Sequence, residues 1–231
     1  MHTKIHPINL GSANVYLISS RENGFCLVDT GMTGARSSLQ KQLDRASCQP
    51  GSLRLIILTH GDVDHTSNSA FLRDTYKTQI AMHRGDLGMV ERGDMTWNRK
   101  ARPDRISPPF KLLMSLFDKI SPPSRFESFT PDVFLEDGQD LKEYGIDGSI
   151  VHLPGHSQGS IGIVLEQCET PAGYKRALIC GDLVYHFIQP GSYYIDDLKA
   201  YQDSIEKIKR LNIQVFFPGH GKPFTPDKFK F

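Results

Sequence analysis

Several short apolar segments of this chain end at an aspartate or a histidine that stands beside glycine or threonine. The segments LRLIIL, SIVHL, ALIC and IQVFF are followed by THGDVDH, PGH, GD and PGH, respectively. Short apolar runs between turn-forming residues are typical of buried β-strands. Ionisable groups at strand ends are mounted on a rigid scaffold, as catalytic and metal-binding groups are. We therefore expect a fold in which these strand ends converge on one site.

The rest of the pattern predicts further strands alternating with helices. NVYLISS and GFCLVDTG indicate a hairpin with a turn at residues 21–24, and TQIAMH, DVFLED, GSIGIVLE and RALICGD indicate further strands. ARSSLQKQLDRAS and SNSAFLRDTY are predicted to be helical. A last helix is indicated by apolar residues at helical spacing, and Asp196 or Asp197 is its expected cap. Those residues are Leu198, Tyr201, Ile205, Ile208 and Leu211.

Residues 84–130 interrupt this pattern, and we interpret them as a cap inserted into a single domain spanning residues 1–231. Prolines flank one apolar stretch, FKLLMSLF, which is predicted to be a helix that either lines a pocket for acyl chains or makes a homodimer contact. Basic residues outnumber acidic ones here, which favours an anionic substrate, with a solvated charged face as the alternative. The basic residues include Arg84, Arg92, Arg99, Lys100, Arg102, Arg105 and Lys111.

Composition excludes several classes of partner. The 231 residues include 27 basic and 26 acidic side chains, so the net charge of +1 indicates neither nucleic acid nor an anionic membrane as a partner. The N-terminal sequence does not resemble a secretory signal, and the longest wholly apolar run, LIIL, is far shorter than a membrane span. The four cysteines lack CxxC spacing. We expect a soluble cytoplasmic protein with reduced thiols and a small-molecule substrate.

The groups at the strand ends are the types that bind divalent zinc, iron or manganese, namely neutral imidazole and carboxylate. A single histidine or aspartate of this kind is usually an ordinary surface or turn residue. The density of HGDVDH, together with the three later strand ends, favours a metal site instead. The candidate ligands are His60, Asp62, Asp64, His65, His156, Asp182 and His220.

These motifs resemble those of the metallo-β-lactamase superfamily, whose signature T-H-x-H-x-D-H is followed by downstream histidine, aspartate and histidine. VDTG, THGDVDH and the three later residues occur here in the family's order over almost the whole chain. The resemblance implies an α+β fold, an αββα four-layer sandwich with two mostly antiparallel or mixed sheets and helices outside. It assigns His60, Asp62 and His156 to one ion, Asp64, His65 and His220 to a second, and Asp182 to both.

Asp62 departs from the family, which usually has a second histidine at this position. With histidine at position 62, two divalent ions, the carboxylates of Asp64 and Asp182 and one bridging hydroxide would sum to a net charge of +1. With Asp62 instead, the sum is zero. An oxygen ligand also shifts preference toward iron or manganese, with zinc retained as an alternative. Because aspartate is shorter than histidine, the first ion must move, or the site is only partly filled.

The function implied is that of a dinuclear metal-dependent hydrolase, whose metal-bridging hydroxide attacks a small ester, thioester or lactone. Asp64 is the candidate for orienting the nucleophile or relaying its proton. Tyr185 resembles the tyrosine of the lactonase branch that assists ester opening, the alternative being a core aromatic residue. Nearby residues are candidates for orienting the ligands, although His152 is expected to face a sheet surface instead. They are His83, Arg84, His152 and His186.

Other functions remain open at this point. The glyoxalase II branch shares the ligand order, but its long C-terminal helical domain and basic glutathione-binding segment are not found here. A phosphodiesterase or nuclease of the superfamily would normally carry a basic RNA-binding arm. A di-iron redox protein like the flavodiiron branch would need a separate reductase. A metal-stabilised binding module would have a closed ligand shell, whereas an enzyme needs an open coordination position.

Overall fold

The computed structural model describes residues 3–19, 24–100, 102–108, 125–170, 173–186 and 194–228. The strands are β1 Thr3–Asn9, β2 Asn14–Ser19, β3 Phe25–Val28, β4 Leu53–Ile57, β5 Gln79–Met82, β6 Arg105–Ile106, β7 Val133–Phe134, β8 Gly148–His152, β9 Ile161–Thr170, β10 Gly173–Gly181, β11 Tyr194–Ile195 and β12 Val215–Pro218. The described α-helices are α1 Arg36–Arg45, α2 Val63–Thr66, α3 Ser69–Tyr76, α4 Leu87–Arg92 and α5 Leu198–Lys209.

The main strands form one mixed hydrogen-bonded path, in the order β12-β10-β9-β1-β2-β3-β4-β5-β7, with β8 pairing to β9. The predicted β2–β3 hairpin is antiparallel, whereas β3, β4, β5 and β7 run parallel. Among the described strands, the two halves of the path pair with each other where Thr3 and Lys4 of β1 meet Cys168 and Glu169 of β9. Such a short junction lets the sheet fold over on itself, so that its halves act as the two expected sheets.

A central core lies between the two halves. Ile18 and Ile57 from the first half and Ile163 and Ile179 from the second belong to the same buried cluster. On the opposite face of the first half, Leu27, Leu39 and Leu72 share a second cluster that includes α1 and α3. Because side chains alternate between the faces of a strand, each half-sheet has one face on the central core and one under helices.

Helix α5 covers the outer face of the second half. Tyr201, Ile205 and Ile208 are spaced to fall on one side of the helix and pack with Leu178 of β10. The side chain of Asp197 accepts a hydrogen bond from the backbone nitrogen of Ala200 at 2.9 Å, so this aspartate is the N-cap. The layers are therefore helix, sheet, sheet, helix, and the predicted αββα sandwich is confirmed.

Within the described part of the chain, no helix combines the length and hydrophobicity needed to cross a bilayer. The cysteines are buried free thiols, and burial raises the pKa of Cys26 to about 12 and that of Cys48 to about 11. These thiols stay protonated at neutral pH and serve as small apolar side chains. The FKLLMSLF segment, predicted to be a helix, lies outside the described residues.

Candidate metal centre

All the candidate ligands follow strands whose ends meet at one edge of the sandwich. His60 and Asp62 come after β4, and helix α2 then carries Asp64 and His65. The remaining ligands, which follow β8, β10 and β12, are His156, Asp182 and His220. Fold topology thus assembles one cluster from four separate parts of the sequence, as the strand-end pattern predicts.

The ligand atoms fall into two groups with spacings suited to metal ions. In the first, Asp62 Oδ2 lies 3.1 Å from His156 Nε2 and 3.6 Å from His60 Nε2. In the second, Asp64 Oδ2 lies 3.4 Å from His220 Nε2 and 3.8 Å from His65 Nε2. Two atoms bound tetrahedrally to one zinc ion are roughly 3.3–3.6 Å apart, because each bond is about 2.0–2.2 Å long. Both groups therefore fit a divalent ion.

Asp182 touches both groups. Its Oδ1 lies 3.4 Å from His65 Nε2, while its Oδ2 lies 3.2 Å from His220 Nε2 and 3.9 Å from His156 Nε2. One carboxylate thus faces histidines assigned to different ions, as a bridging ligand must.

Unpartnered buried atoms provide an independent test of this fit. Among the described residues, His60 Nε2, His65 Nε2 and Asp182 Oδ1 are buried and have no hydrogen-bond partner. Burying a polar atom without a partner normally costs free energy, so such atoms are rare unless a ligand completes them. All three point into the cluster, where a divalent cation would satisfy them.

The opposite nitrogen of each buried histidine is held by an oxygen. His60 Nδ1 lies 2.9 Å from Thr59 Oγ1, His65 Nδ1 lies 2.8 Å from Asp29 Oδ2, and His156 Nδ1 lies 2.8 Å from the Tyr194 carbonyl. A proton on Nδ1 donated to these oxygens leaves Nε2 with a free lone pair. The surroundings therefore select the tautomer that binds metal.

Asp29 supports two of these histidines at once. Its carboxylate accepts from His65 and also from the backbone nitrogen and hydroxyl of Thr59, each at 2.8 Å. The backbone of Asp29 has a φ of 62°, a left-handed conformation that aspartate and asparagine tolerate better than most residues. The VDTG motif thus provides both the turn and the anchor.

Asp86 is a supporting residue that the sequence analysis missed. It is buried after β5 and accepts hydrogen bonds from Gly61 N at 2.9 Å, Ser157 Oγ at 2.6 Å and Gly159 N at 2.7 Å. It therefore fixes the His60 loop to the His156 loop. Asp86 could have been found by the pattern that identified the candidate ligands, namely an ionisable residue just beyond an apolar strand.

Charge is concentrated in this centre. Burial raises the pKa of Asp62, but Arg99, His156 and His60 outweigh burial and hold it well below the usual range. Burial likewise opposes ionisation of Asp182, yet His220 and His65 keep its pKa well below normal. Burial lowers the pKa of His65, whereas Asp29, Asp182 and Asp64 more than compensate and raise it well above 6.5. The metal-free centre thus holds protons that a cation would displace.

Arg99 was expected to face an anionic substrate, but it contacts the metal centre instead. Its Nη2 donates to Asp62 Oδ1, its Nη1 donates to the His156 carbonyl at 2.7 Å, and its side chain is only 7% exposed.

Other cations of the insertion also have partners. Arg84 lies 3.8 Å from the centre of the Phe134 ring, and Arg92 lies 3.6 Å from that of Trp97. The anionic substrate expected from the basic residues of the insertion stays a prediction.

The other residues expected to support the ligands have contacts elsewhere. His83 and His152 stack on each other with ring centres 3.9 Å apart. His83 Nδ1 accepts from the backbone nitrogen of Gly85, and His152 Nε2 lies 2.9 Å from the Gln158 carbonyl. His186 is exposed, with its ring centre 6.1 Å from that of Phe224. These residues brace the loops around the centre rather than the ligands.

Tyr185 is buried, with its ring nearly perpendicular to that of His220 and 5.5 Å away. The centre opens on the same side, because the Asp64 and His220 side chains are 23% and 22% exposed whereas that of His65 is 0% exposed. A cavity of about 240 Å³ adjoins His220 and is lined also by Asn9 and by residues 11–14 of the same loop.

Comparisons with known proteins agree with this geometry. A probable metallo-hydrolase of Methanocaldococcus jannaschii is 26% identical over 216 residues, covering 91% of this chain and 88% of the relative. An acyl-coenzyme A thioesterase of Bos taurus is 26% identical over 236 residues, covering 94% and 75% of the respective chains. A crystal structure of a subclass B3 metallo-β-lactamase of Bradyrhizobium japonicum superposes with a TM-score of 0.69 at 17% identity, covering 98% of this chain and 76% of the other.

The sequence profile of the metallo-β-lactamase superfamily matches residues 8–220. That span includes the Asp29 turn and every candidate ligand. The chain therefore belongs to the metallo-β-lactamase superfamily.

Proposed function

We propose that this metal-dependent hydrolase uses two divalent ions to cleave a small ester, thioester or lactone. The observation that carries the proposal is the position of Asp182, whose two oxygens face the histidines of both ligand groups. A single-ion site would need no carboxylate that reaches both groups.

The partial exposure of the second group favours an enzyme over a closed metal-binding module. His220 borders the cavity, and the partly exposed Asp64 lies 3.4 Å from His220, so a substrate would reach this side of the centre without displacing the buried ligands of the first group. A structural metal site is normally surrounded by protein ligands on all sides. Here the open side leaves room for water and for a carbonyl group.

Bound divalent ions would lower the pKa of water from about 15.7 toward 7 and polarise a substrate carbonyl. The protein's own contribution is to position the reactants. Asp64, which is partly exposed and 3.4 Å from His220, would orient the attacking water and accept its proton. Asp182 would hold the two ligand groups at a fixed separation, while Asp29 and Asp86 keep the histidine loops from shifting.

Tyr185 remains our candidate for assisting the leaving group. Its ring packs against that of His220 on the open side of the centre, with ring centres 5.5 Å apart, so the residue lies beside the proposed substrate position. In the present arrangement its direct effect is to fix the orientation of the His220 ring.

The substrate class rests on two considerations. The thioesterase among the relatives supports a thioester, and the cavity of about 240 Å³ beside His220 has room for a small acyl group. Three cations of the insertion are engaged within the protein, since Arg84 and Arg92 lie over aromatic rings and Arg99 pairs with Asp62. A phosphodiester substrate is therefore the less favoured alternative.

The test combines metal analysis with a substrate panel. Metal-free protein is reconstituted with zinc, manganese or ferrous iron, and hydrolysis is measured on acyl-thioesters, acyl lactones, aryl esters and bis-aryl phosphates. We expect two ions per chain and hydrolysis of at least one carbonyl substrate. One tightly held ion would overturn the dinuclear centre, and hydrolysis of the phosphate alone would overturn the substrate class.

Asp182→Asn is the decisive variant because asparagine has the same shape as aspartate, but its neutral amide binds two cations more weakly than a carboxylate does. It should lose one ion per chain and about 100-fold or more in kcat/KM. Asp203→Asn is the matched control, since Asp203 lies on the exposed side of α5 and pairs with Lys199. The control should keep both metal content and activity.

A further inference from the structure

The two oxygens of Asp62 have different partners. Oδ1 accepts from the guanidinium of Arg99, while Oδ2 faces His156 Nε2 at 3.1 Å and His60 Nε2 at 3.6 Å. A carboxylate with neither oxygen engaged elsewhere can bind an ion with both of them. With Oδ1 occupied by Arg99, Asp62 offers the first ligand group a single atom.

Arg99 is built into the centre rather than free to bind substrate. Its Nη1 donates to the His156 carbonyl at 2.7 Å and its Nε to the Met95 carbonyl at 3.1 Å. Its guanidinium also lies 4.7 Å from the centre of the Tyr194 ring. The Asp62 and Arg99 side chains are only 10% and 7% exposed, so little solvent screens their attraction.

The positive charge of Arg99 changes the net charge of the centre that was summed from the sequence. Asp62 alone would neutralise a centre of two divalent ions, two other aspartates and a hydroxide. Arg99, paired with Asp62, contributes one positive charge and returns the sum to +1. Carboxylate and guanidinium together carry no net charge, as a neutral imidazole does, and present one donor atom.

We propose that Asp62 and Arg99 form one unit that takes the place of a single neutral nitrogen ligand at the first ion. Oδ2 is the ligand atom, and Arg99 is a positioning residue that holds Oδ1 and cancels the carboxylate charge. The inference rests on the proposed function in one respect, because it takes Asp62 as a metal ligand. It adds that an arginine from the insertion, 37 residues away, sets the electrostatics of that ligand.

The experiment is a double-mutant cycle read by zinc affinity, measured near neutral pH by competition with a chromogenic chelator. Asp62→His alone leaves the Arg99 cation buried beside the first ion without its paired carboxylate, so zinc affinity should fall by about tenfold or more. Adding Arg99→Gln to Asp62→His removes that cation and should restore affinity to within about threefold of the original protein. Circular dichroism establishes that each variant is folded.

Arg92→Gln in the Asp62→His background is the matched control. Arg92 belongs to the same insertion but lies over Trp97, so its removal should restore nothing. Full affinity in Asp62→His alone, equal rescue by Arg92→Gln, or no rescue by Arg99→Gln would each overturn the proposal.

Arg99→Gln alone gives a reading that does not depend on the folding of Asp62→His. Glutamine is uncharged and ends two bonds short of the Arg99 Nη2 position, so the full carboxylate charge faces the ion and zinc affinity should rise about threefold or more. A fall in affinity would show that Arg99 only orients Asp62 and does not cancel its charge. If the unsubstituted protein bound no zinc, manganese or iron, the metal centre itself would fail, which is a separate outcome.

Discussion

Replacing Asp29 with asparagine changes the hydrogen bonds that support the metal-binding histidines and leaves every candidate ligand in place. Asparagine has the same shape and tolerates the φ of 62° found at this position, so the turn should persist. What changes is the set of acceptors around His65 and Thr59. One carboxylate oxygen becomes an amide nitrogen, which donates where the oxygen accepted.

The size of the effect follows from the hydrogen bonds that asparagine cannot make. If asparagine keeps its oxygen toward Thr59 N, its amide nitrogen can no longer accept from Thr59 Oγ1 and His65 Nδ1. Hydrogen bonds to a charged group contribute about 1.5–3 kcal/mol each, so about 3–6 kcal/mol is the upper bound. Rotation of the Thr59 hydroxyl and a shift of the His65 proton to Nε2 recover part of this. That tautomer blocks the ligand atom, so zinc affinity should fall about 10- to 100-fold.

The assay is zinc competition on purified protein, with thermal unfolding of the metal-free form measured in parallel. Asp203→Asn makes the same chemical change on an exposed carboxylate and should leave zinc affinity unchanged. Unchanged zinc affinity in Asp29→Asn would refute the reasoning that Asp29 selects the tautomer of His65. A loss of metal-free stability without a loss of affinity would show that Asp29 serves only the fold.

The same geometry supports three further predictions. The pKa values of His65 and His220 are raised above 6.5, so their stabilisation of the metal-free protein is complete below that pH and is lost as pH rises through the raised values. The Tm of chelated protein should therefore fall from pH 6 to 9, while the Tm increase caused by zinc grows; parallel slopes with and without zinc would contradict this. Asp86→Asn should destabilise the protein by about 1–3 kcal/mol in urea unfolding and weaken the first metal site more than the second; equal loss at both sites would contradict its assigned position. Tyr185→Phe should lower kcat by about 100-fold with both ions retained, and an unchanged kcat would show that only the ring matters.

Much of the fold was predictable because burial and hydrogen bonding act over short stretches of sequence. Most of the strands, the α1, α3 and α5 helices and a cap at Asp196 or Asp197 follow from apolar periodicity and local turn chemistry, whereas β1, β6 and β11 were not predicted. The layering was implied by family resemblance and is confirmed by the three clusters of buried residues. The link between β1 and β9, which joins the half-sheets into one path, is only two residue pairs long and has no sequence pattern of its own.

The sequence by itself determined the candidate ligands of the centre, because an ionisable residue beyond an apolar strand is a local signal that repeats at each strand end. Only the tertiary structure decided what surrounds them. Asp86 joins two loops, and Arg99 reaches Asp62 across 37 residues, through interactions that no periodicity records. The charge felt at the centre depends on every buried group within a few ångströms, and this distance is set by folding rather than by sequence separation.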